Sequence, residues 1–431
     1  MTAEEIIAAT GAVVVEQFAI APRPERLAAL PPPYATRNMR RWFKKMTQRE
    51  GKGYTHQVHA LEAQELGSNV VLNTGTASGK TLAFLAPIIR NLLDDPFSKA
   101  LLLYPQKALS ADQCKRIRSA LEEAGLPSDL VGVINGDVPA SERFAIVERC
   151  RIILATPDVV QSWVTRNLAT PQVRQMLKTL RFLVIDEAHV LEGVFGSNTA
   201  FLLRRLLLAV ERARAGTVVT PPLQILAASA TIRDAAGHME LLTGREFVEI
   251  GEADNGAPFH GLTMLHIEGP AYGPSAETYL AHLCGKLAAV VEPHALIGFA
   301  DTRQGVEHVT RQIGRDDVLP YRGGYDAHDR ELIEQALWAG KLRGVISTSA
   351  LELGVDIPQL PIGLNLGVPQ TLKACRQRVG RIGRSMPGVF AIVAPANEFV
   401  KLGGSMREFY EGEIEPSRLY LSNPYIQLQA A

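Results

Sequence analysis

Short apolar runs alternate with longer helical patterns along most of this 431-residue chain. Strands that alternate with helices in the sequence are typical of parallel sheets whose two faces are covered by helices. We therefore predict an α/β fold. The apolar runs that we interpret as strands are residues 70–72, 100–104, 151–155, 182–185, 224–227, 295–299, 344–347 and 389–393.

The predicted strands form two groups, and residues 248–274 lie between them. Glycine, proline and mixed polar residues dominate that stretch, which is typical of a linker between domains. We therefore predict a first domain over residues 54–254, a second domain over residues 255–431 and an N-terminal extension over residues 1–53, with the boundary near Asn255.

The predicted extension contains a proline cluster at residues 31–33, followed by a basic run around Trp42 and Phe43. Two interpretations remain open for this run. It is either the solvated face of a helix or a nonspecific contact with nucleic-acid phosphates, which would weaken with salt. Its basic residues are Arg37, Arg40, Arg41, Lys44, Lys45, Arg49 and Lys52.

Composition adds limits on partners and compartment. The chain is 46% hydrophobic and carries 45 basic and 45 acidic side chains, so a polyanion must be held by local patches and not by net charge. The N-terminus is acidic, and no apolar run that we recognise approaches the roughly 20 residues needed to cross a bilayer. The four cysteines are widely spaced and suggest neither a zinc site nor a disulfide framework; they are Cys114, Cys150, Cys284 and Cys375. From the cysteines and the lack of a long apolar run together, we expect a cytoplasmic protein without a membrane partner.

The stretch LNTGTASGKT, residues 72–81, follows a predicted strand and precedes a predicted helix, as a phosphate-binding loop does. Thr74 stands where the general pattern has glycine, so a plain turn is the alternative. As a phosphate loop, it would direct backbone N–H groups and Lys80 at the phosphates of ATP, and the Thr81 hydroxyl at Mg²⁺. The candidate ATP-binding residues of the loop are Thr74, Gly75, Thr76, Ala77, Ser78, Gly79, Lys80 and Thr81.

A second motif, RFLVIDEAH, places Asp186 and Glu187 at the end of an apolar strand. Ligands of open parallel sheets collect at the carboxyl ends of the strands. Asp186 suits a place beside Mg²⁺, and Glu187 can accept a proton from an attacking water. The alternative is that the two carboxylates only cap the next helix.

Three motifs together resemble the superfamily 2 helicases of the DEAD/DEAH-box type. They are DEAH at residues 186–189, SAT at residues 229–231 and QRVGRIGR at residues 377–384. The resemblance spans nearly the whole chain from Tyr54 onward. It implies two RecA-like domains, ATP in the cleft between them and a nucleic-acid strand that crosses both.

The resemblance also implies roles for individual residues. Gln57 of YTHQ would read adenine, Gly354 and Asp356 would lie near the ribose, and Arg381 and Arg384 would stabilise charge on the γ-phosphate. The residues expected to contact nucleic acid are Lys107, Gly136, Thr156 and Pro157 in the first domain and Arg303, Gly323, Gly324 and Thr348 in the second. The residues expected to couple hydrolysis to movement are Ser229, Thr231 and Gln377.

A narrower resemblance is to the DNA-repair helicases of the MrfA (YprA) type, carried by TGTASGKT, ALELGVD, RGGY and GVFGSNTAFLLRRL. It implies movement 3′ to 5′ on DNA, and it makes Thr74 a feature of the group. Members of that group continue into a region with a four-cysteine metal site, whereas this sequence ends at SNPYIQLQAA. We expect either a truncated chain or a cysteine-rich companion protein supplied in trans.

Three functions remain open at this point. The first is an ATP- and Mg²⁺-dependent DNA helicase or translocase in DNA repair or phage defence. The second is an RNA helicase, since no residue pattern here detects the 2′-hydroxyl. The third is a nucleic-acid clamp that ATP switches on behalf of a partner protein.

Overall fold

The computed structural model of the chain describes residues 2–76, 78–216, 222–230, 232–270, 273–291, 294–325, 327–351, 360–383 and 386–430, apart from the side chains of residues 327, 429 and 430. It divides into two units. The first unit comprises residues 26–256 and 416–431, and the second comprises residues 1–25 and 257–415. The chain therefore passes between the units at three points, and the residues predicted to form a separate extension are shared between both units.

The elements follow one another in the alternation that the sequence predicts. The strands are β1 Val14–Ile20, β2 Leu27–Ala29, β3 Lys52–Tyr54, β4 Val70–Asn73, β5 Lys99–Leu103, β6 Val131–Ile134, β7 Ile152–Ala155, β8 Leu180–Ile185, β9 Gln224–Ser229, β10 Val248–Ile250, β11 Leu262–Glu268, β12 Leu296–Phe299, β13 Val318–Tyr321, β14 Gly344–Ser347, β15 Ile362–Leu366 and β16 Gly388–Ala394. The helices are α1 Ala3–Thr10, α2 Arg37–Thr47, α3 Thr55–Glu65, α4 Lys80–Asp94, α5 Lys107–Glu123, α6 Ala140–Arg149, α7 Pro157–Val159, α8 Pro171–Thr179, α9 Gly193–Arg214, α10 Ala235–Thr243, α11 Pro274–Ala288, α12 Arg303–Ile313, α13 Ala327–Trp338, α14 Leu372–Val379, α15 Glu398–Lys401, α16 Met406–Glu411 and α17 Pro424–Ala430.

The first unit is built on a seven-stranded sheet in the order β10-β4-β9-β8-β5-β7-β6. Every neighbouring pair in it is parallel. All five residues of β5 are buried, and the four after Lys99 are apolar, because helices cover both faces of the sheet. Separate hydrophobic clusters fill the two sides. All the strands therefore end at one edge, where the predicted motifs follow.

The second unit contains a seven-stranded sheet in the order β1-β11-β16-β15-β12-β14-β13. Its one antiparallel pair is β1 with β11, so the N-terminal strand forms an edge of this sheet. Helix α1 buries Ala3 and Ile6 in the same unit, and Thr2 and Glu5 form a capping box at its start. The sequence did not predict this strand because VVEQFAI, half exposed at an edge, lacks the continuous apolar run of a central strand.

The C-terminal residues return to the first unit and pack on the start of α9. The Gly193 N–H donates to the Arg418 carbonyl at 2.7 Å, and the Tyr420 N–H donates to Ser197 Oγ at 2.7 Å. A Cβ on Gly196 would meet the Leu191 carbonyl and would come within 2.8 Å of Leu419 Cδ2. The small residues of GVFGSN thus make room for the returning segment.

Helix α9 is also, among the described residues, long and apolar enough to cross a membrane by length and composition alone. The prediction that no apolar segment approaches this length is therefore wrong for α9. Half of the most apolar part of α9 is buried inside the protein. Its buried leucines, including Leu203 and Leu206, lie in the hydrophobic core of the first unit. Core helices commonly have this composition.

The four cysteines are buried, each without a disulfide. Burial raises the pKa of the Cys284 thiol to about 12 and that of the Cys375 thiol to about 12. Such thiols stay protonated near neutral pH and act as small apolar side chains. In the part of the chain that the structure describes, no three His, Cys, Asp or Glu side chains gather as a metal site would require.

Candidate nucleotide and nucleic-acid sites

Three predicted nucleotide motifs meet at the carboxyl edge of the first sheet. Strands β4, β9 and β8 are neighbours, and they end at Asn73, Ser229 and Ile185. The phosphate-loop stretch, SAT and DEAH follow these ends directly. Motifs that are far apart in the sequence therefore lie side by side because parallel strands end at a common edge.

The side chain of Lys80 folds back onto the phosphate-loop stretch and hydrogen-bonds to its backbone. Lys80 Nζ donates to the Thr74 carbonyl at 2.8 Å and to the Gly75 carbonyl at 2.8 Å. The Thr74 and Ser78 hydroxyls are hydrogen-bonded at 2.7 Å, and the Thr74 side chain is fully buried. The residue that departs from the general pattern thus braces the loop across its width, which glycine could not do.

Gln57 lies against this loop. Its Nε2 donates to the Gly79 carbonyl at 2.9 Å, and its Oε1 accepts from the Tyr54 N–H at 3.0 Å. Gly79 has φ +82°, and a Cβ there would lie 2.8 Å from Gln57 Nε2. The amide retains one further hydrogen and one lone pair that could recognise a base.

The two carboxylates of DEAH form a tight acidic turn. Asp186 Oδ1 accepts from the Glu187 N–H at 2.9 Å, and Glu187 has φ +51°, a left-handed conformation that is unfavourable for a residue with a side chain. Burial, together with the negative charge of Glu187, raises the pKa of Asp186 to about 7, and the nearby Lys80 ammonium opposes that shift. A cation beside Asp186 would favour its charged form, so the turn suits a divalent metal.

The structure connects DEAH to SAT through a residue that the sequence analysis gave no role. His189 Nδ1 accepts a hydrogen bond from the Ala230 N–H at 3.2 Å. The Ser229 hydroxyl, predicted to couple hydrolysis to movement, donates to the Ala230 carbonyl at 2.6 Å. Both His189 and Ser229 are buried. His189 and Ser229 therefore both hold the backbone of Ala230, the middle residue of SAT.

Asn73, at the end of β4, is a second residue that sequence reasoning missed. Its Nδ2 donates to the Ile232 carbonyl at 2.8 Å and to Glu249 Oε1 at 2.7 Å, and its Oδ1 accepts from the Ile232 N–H at 2.9 Å. These bonds fasten the segment after SAT to the strand that carries the phosphate loop. A polar residue directly after the apolar run 70–72 was the available signal.

The predicted nucleic-acid residues of the first domain occupy the other half of the same edge, after β5, β6 and β7. Lys107 Nζ contacts Asp137 Oδ1 at 2.6 Å, and a Cβ on Gly136 would lie 3.0 Å from Lys107 Nζ. Thr156 and Pro157 start α7 at the end of β7. The sheet order brings all four together, because β5, β7 and β6 are consecutive neighbours.

In the second unit, Arg303 lies beside Gly323 and Gly324. A Cβ on Gly324 would be 3.6 Å from Arg303 Nη1, and one on Gly323 would be 3.9 Å from Nη2. Arg303 also lines an open cavity of about 610 Å³ with Thr302 and other polar residues. Thr348 is buried at the end of β14, the neighbour of both β12 and β13.

The described part of the arginine-rich motif of the second unit, residues 377–383, is mostly buried. Gln377 is 8% exposed and Arg381 is 4% exposed. Arg378, which the sequence analysis did not single out, donates to Asn365 Oδ1 at 2.7 Å and to Asp301 Oδ1 at 2.9 Å. Arg378 thereby fastens α14 to the strand ends of this sheet.

Some predicted site residues lie outside the described residues: Ala77, Thr231, Gly354, Asp356 and Arg384. Their roles stay predictions.

Family models match both parts of the chain. A DEAD/DEAH box helicase model matches residues 54–238, and a helicase conserved C-terminal domain model matches residues 279–386. The two matches cover more than half of the chain. The chain belongs to the DEAD/DEAH box helicases.

Relatives of this DEAD/DEAH box helicase chain are found in fungi and bacteria. The ATP-dependent helicase HRQ1 of Saccharomyces cerevisiae is 33% identical over 77% of this chain and 32% of that protein. The ATP-dependent helicase YprA of Bacillus subtilis is 32% identical over 77% of this chain and 44% of that protein. The chain thus spans less than half the length of either relative.

Among solved structures, the helicase MrfA bound to DNA matches this DEAD/DEAH box helicase over 100% of the chain and 58% of MrfA, with a TM-score of 0.87 and 28% identity. The predicted resemblance to the MrfA/YprA group is confirmed by these similarities. The predicted α/β class, with two RecA-like helicase domains, is confirmed as well.

Proposed function

We propose that this chain is an ATP-hydrolysing motor that moves 3′ to 5′ on DNA, in DNA repair or phage defence. The observation that carries the proposal is the division of one sheet edge into two halves. The ends of β4, β9 and β8 hold the nucleotide motifs, and the ends of β5, β7 and β6 hold the residues suited to phosphates of a nucleic acid. Because β8 and β5 are neighbours, DEAH lies next to the candidate nucleic-acid residues, and a shift of DEAH during hydrolysis would reach them.

DNA is favoured over RNA by the relatives. MrfA, bound to DNA in its crystal structure, matches with 28% identity. The matched Mss116 structure with single-stranded RNA is 17% identical, a level at which only the fold is shared. The polarity and the pathway rest on the resemblance to the MrfA/YprA group.

In the proposed reaction, Lys80 exchanges the Thr74 and Gly75 carbonyls for the β- and γ-phosphates of ATP. Backbone N–H groups of the loop and of the start of α4 hold phosphate oxygens, and Gln57 recognises adenine. Thr81 and Asp186 would hold Mg²⁺, which when bound offsets the negative charge of the phosphates. Glu187 accepts a proton from the attacking water.

The second domain supplies further groups in this proposal. Arg381 and Arg384 stabilise the charge that develops on the γ-phosphate, and Gly354 and Asp356 approach the ribose. Loss of an arginine with this role typically lowers turnover by on the order of a thousandfold or more. Gln377 and Ser229 belong to the coupling path, to which we add His189 because it holds the Ala230 backbone.

Hydrolysis of ATP by the purified chain with single-stranded DNA, duplex DNA or RNA tests this function. We expect DNA to stimulate turnover and RNA to do so less. Duplexes with a 3′ or a 5′ single-stranded tail then test movement, and we expect unwinding only with the 3′ tail. Greater stimulation by RNA would contradict the choice of DNA, and DNA-stimulated hydrolysis without unwinding or translocation would favour a clamp.

Two variants test the assignment of the site. Glu187→Gln should bind ATP and lose turnover, because the amide cannot accept the proton. Lys80→Ala should bind ATP more weakly, because it removes the charge directed at the phosphates. Unchanged hydrolysis by Glu187→Gln would refute the role of the base, and normal ATP affinity in Lys80→Ala would show that the loop holds something else.

A further inference from the structure

Two of the three chain crossings between the units run next to each other. The chain leaves the second unit after Glu25 and re-enters it after Gly256. In the second unit, Arg23 and Phe259 exchange backbone hydrogen bonds at 2.8 and 2.9 Å. In the first unit, the Arg26 N–H donates to the Gly256 carbonyl at 2.9 Å. The two crossings are therefore paired where they enter each unit, which restricts their freedom more than a single linker would.

Residues 251–256, which we call the connecting segment, are anchored to the helix that carries Gln57. The Thr55 hydroxyl donates to the Asp254 carbonyl, and Asp254 Oδ1 lies 3.0 Å from His59 Nδ1. The Gly256 N–H donates to His56 Nδ1 at 3.2 Å. A Cβ on Gly256 would collide with the Arg26 carbonyl. The segment is thus fixed to α3 at several points.

The connecting segment also reaches the phosphate loop. Glu252 Oε2 accepts a hydrogen bond from the Gly75 N–H at 2.9 Å, and Glu252 Oε1 accepts from Asn255 Nδ2 at 3.0 Å. Asn255 is buried and Glu252 is exposed, so the hydrogen bond from the fixed Asn255 side chain restricts the position of the Glu252 carboxylate.

One peptide group links Glu252 to Lys80. The carbonyl of the Thr74–Gly75 peptide accepts from Lys80 Nζ, and the N–H of the same peptide donates to Glu252. A peptide is planar, so its C=O and N–H must rotate together. A cation on the oxygen also polarises the N–H and strengthens its bond to a carboxylate. Removal of Lys80 from this carbonyl therefore weakens or breaks the contact with Glu252.

We propose that Glu252 is a positioning residue that senses the state of the phosphate loop and transmits it to the paired crossings between the units. The inference rests on the proposed function, in which Lys80 leaves the loop carbonyls when ATP binds. With Lys80 on the carbonyls, Glu252 braces the closed loop and the connecting segment is held. With Lys80 on phosphate, the brace is released and the connecting segment is held only by its contacts with α3, so the paired crossings are held less firmly.

The test uses the full chain with Glu252→Ala and Glu252→Gln, and with Glu246→Gln as a control. Glu246 is an exposed carboxylate of the same unit, so the control removes an equal charge away from the loop. A fluorescent ATP analogue measures affinity. Since the variants lose a brace of the closed loop, we expect them to bind roughly two- to fivefold tighter, the range for an exposed charge-assisted contact, with the Gln variant in between. A merely damaged site would bind more weakly.

Hydrogen exchange supplies the second readout. In the unaltered chain and in Glu246→Gln, a nonhydrolysable ATP analogue should speed exchange in peptides that contain Arg26 and Gly256. In Glu252→Ala, exchange there should already be fast and should change little with nucleotide. The inference would be overturned if both Glu252 variants kept wild-type affinity and a wild-type exchange response, or if both bound the analogue more weakly. Either result would leave the proposed function standing. Failure of the unaltered chain to bind ATP would overturn the proposed function itself and this inference with it.

Discussion

His189 accepts the backbone N–H of Ala230 on its Nδ1 atom, so a DEAH side chain holds the main chain of SAT directly. Since Nδ1 is the acceptor, the neutral ring carries its proton on Nε2. Glu187 Oε2 lies 3.4 Å from the same nitrogen. The relationship places one imidazole between the candidate catalytic carboxylate and the segment expected to couple hydrolysis to movement.

We predict that His189→Ala separates hydrolysis from its stimulation by DNA. The substitution leaves the buried Ala230 N–H without this acceptor, which costs about 1–3 kcal/mol of stability. Turnover without DNA should stay within a few-fold of the unaltered chain, while stimulation by single-stranded DNA should be largely lost. ATPase assays with and without DNA, together with denaturant unfolding, measure both effects.

His238→Ala is the matched control, because His238 is also buried in the first unit but lies on α10 beyond SAT. It should lower stability and keep the DNA stimulation. If both variants lose stimulation equally, the effect comes from a weakened fold and not from the contact with Ala230.

A second prediction concerns the amide of Asn73. Asn73→Ala removes the bonds to Ile232 and leaves the backbone groups of a buried residue without their partners, so we expect a loss of about 2–4 kcal/mol in the free energy of unfolding. Because the segment after SAT is no longer fastened to β4, ATP turnover should fall as well. Chemical denaturation and a steady-state ATPase assay measure the two losses.

The chain contains a control of the same chemistry at the opposite end of β4. Asn69 Oδ1 accepts from the Ile225 N–H at 2.9 Å, and its Nδ2 donates to the Glu246 carbonyl at 2.9 Å. Asn69→Ala should therefore also destabilise the sheet, but it should leave turnover near normal because it lies away from the carboxyl edge. Equal loss of turnover in both variants would contradict the specific role of Asn73.

A third prediction separates backbone strain from the contact of the loop with Gln57. Gly79 has φ +82° and Gly67 has φ +84°, so alanine at either position costs about 1–2 kcal/mol from the left-handed conformation. Only at Gly79 does a Cβ also displace Gln57, since at Gly67 nothing lies within 4 Å. We expect Gly79→Ala to weaken binding of ATP at least tenfold and Gly67→Ala to leave it unchanged. Nucleotide titrations decide this, and equal affinities would mean that the Gln57 contact is dispensable.

The sequence predicted the strands that form nearly continuous apolar runs, and the structure confirms a strand at every one of the predicted positions. It missed the remaining strands, which are β1, β2, β3, β6, β10, β11, β13 and β15. Strands β10 and β11 lie within residues 248–274, the stretch interpreted as a linker, and the internal strand β11, LTMLHIE, has polar residues among its apolar ones. Short or half-exposed strands such as VLPY have no distinctive period. The motifs that contain glycine, lysine and acidic residues could be found because phosphate and metal chemistry demand those residue types.

The remaining site residues could not be found from the sequence, because their partners are distant in the chain. Asn73 and Ile232 are separated by 159 positions, and Gly75 and Glu252 by 177. Only the order of strands β10, β4 and β9 in the sheet brings them together. The boundary expected near Asn255 lies close to the observed crossing after Gly256, but no composition pattern indicated that residues 416–431 return to the first unit.

That return leads to the last prediction, which concerns Gly196 in α9. A Cβ at this position would collide with the Leu191 carbonyl and press on Leu419, and neither a backbone carbonyl nor a packed leucine can move without cost. We expect Gly196→Ala to destabilise the chain by about 1–3 kcal/mol and to expose the C-terminal segment to proteolysis.

Gly285, in α11, is the matched control for Gly196, since a Cβ there would meet only Ile313 Cγ2 at 3.9 Å. Alanine is favoured over glycine inside a helix, so Gly285→Ala should stabilise by about 0.5–1 kcal/mol. Thermal unfolding and limited proteolysis compare the two variants. If Gly196→Ala behaved like Gly285→Ala, the small residues of GVFGSN would have to serve another purpose than docking the returning segment. Opposite signs at two helical glycines would show that contact with Leu191 and Leu419, and not helix propensity, determines the residue at position 196.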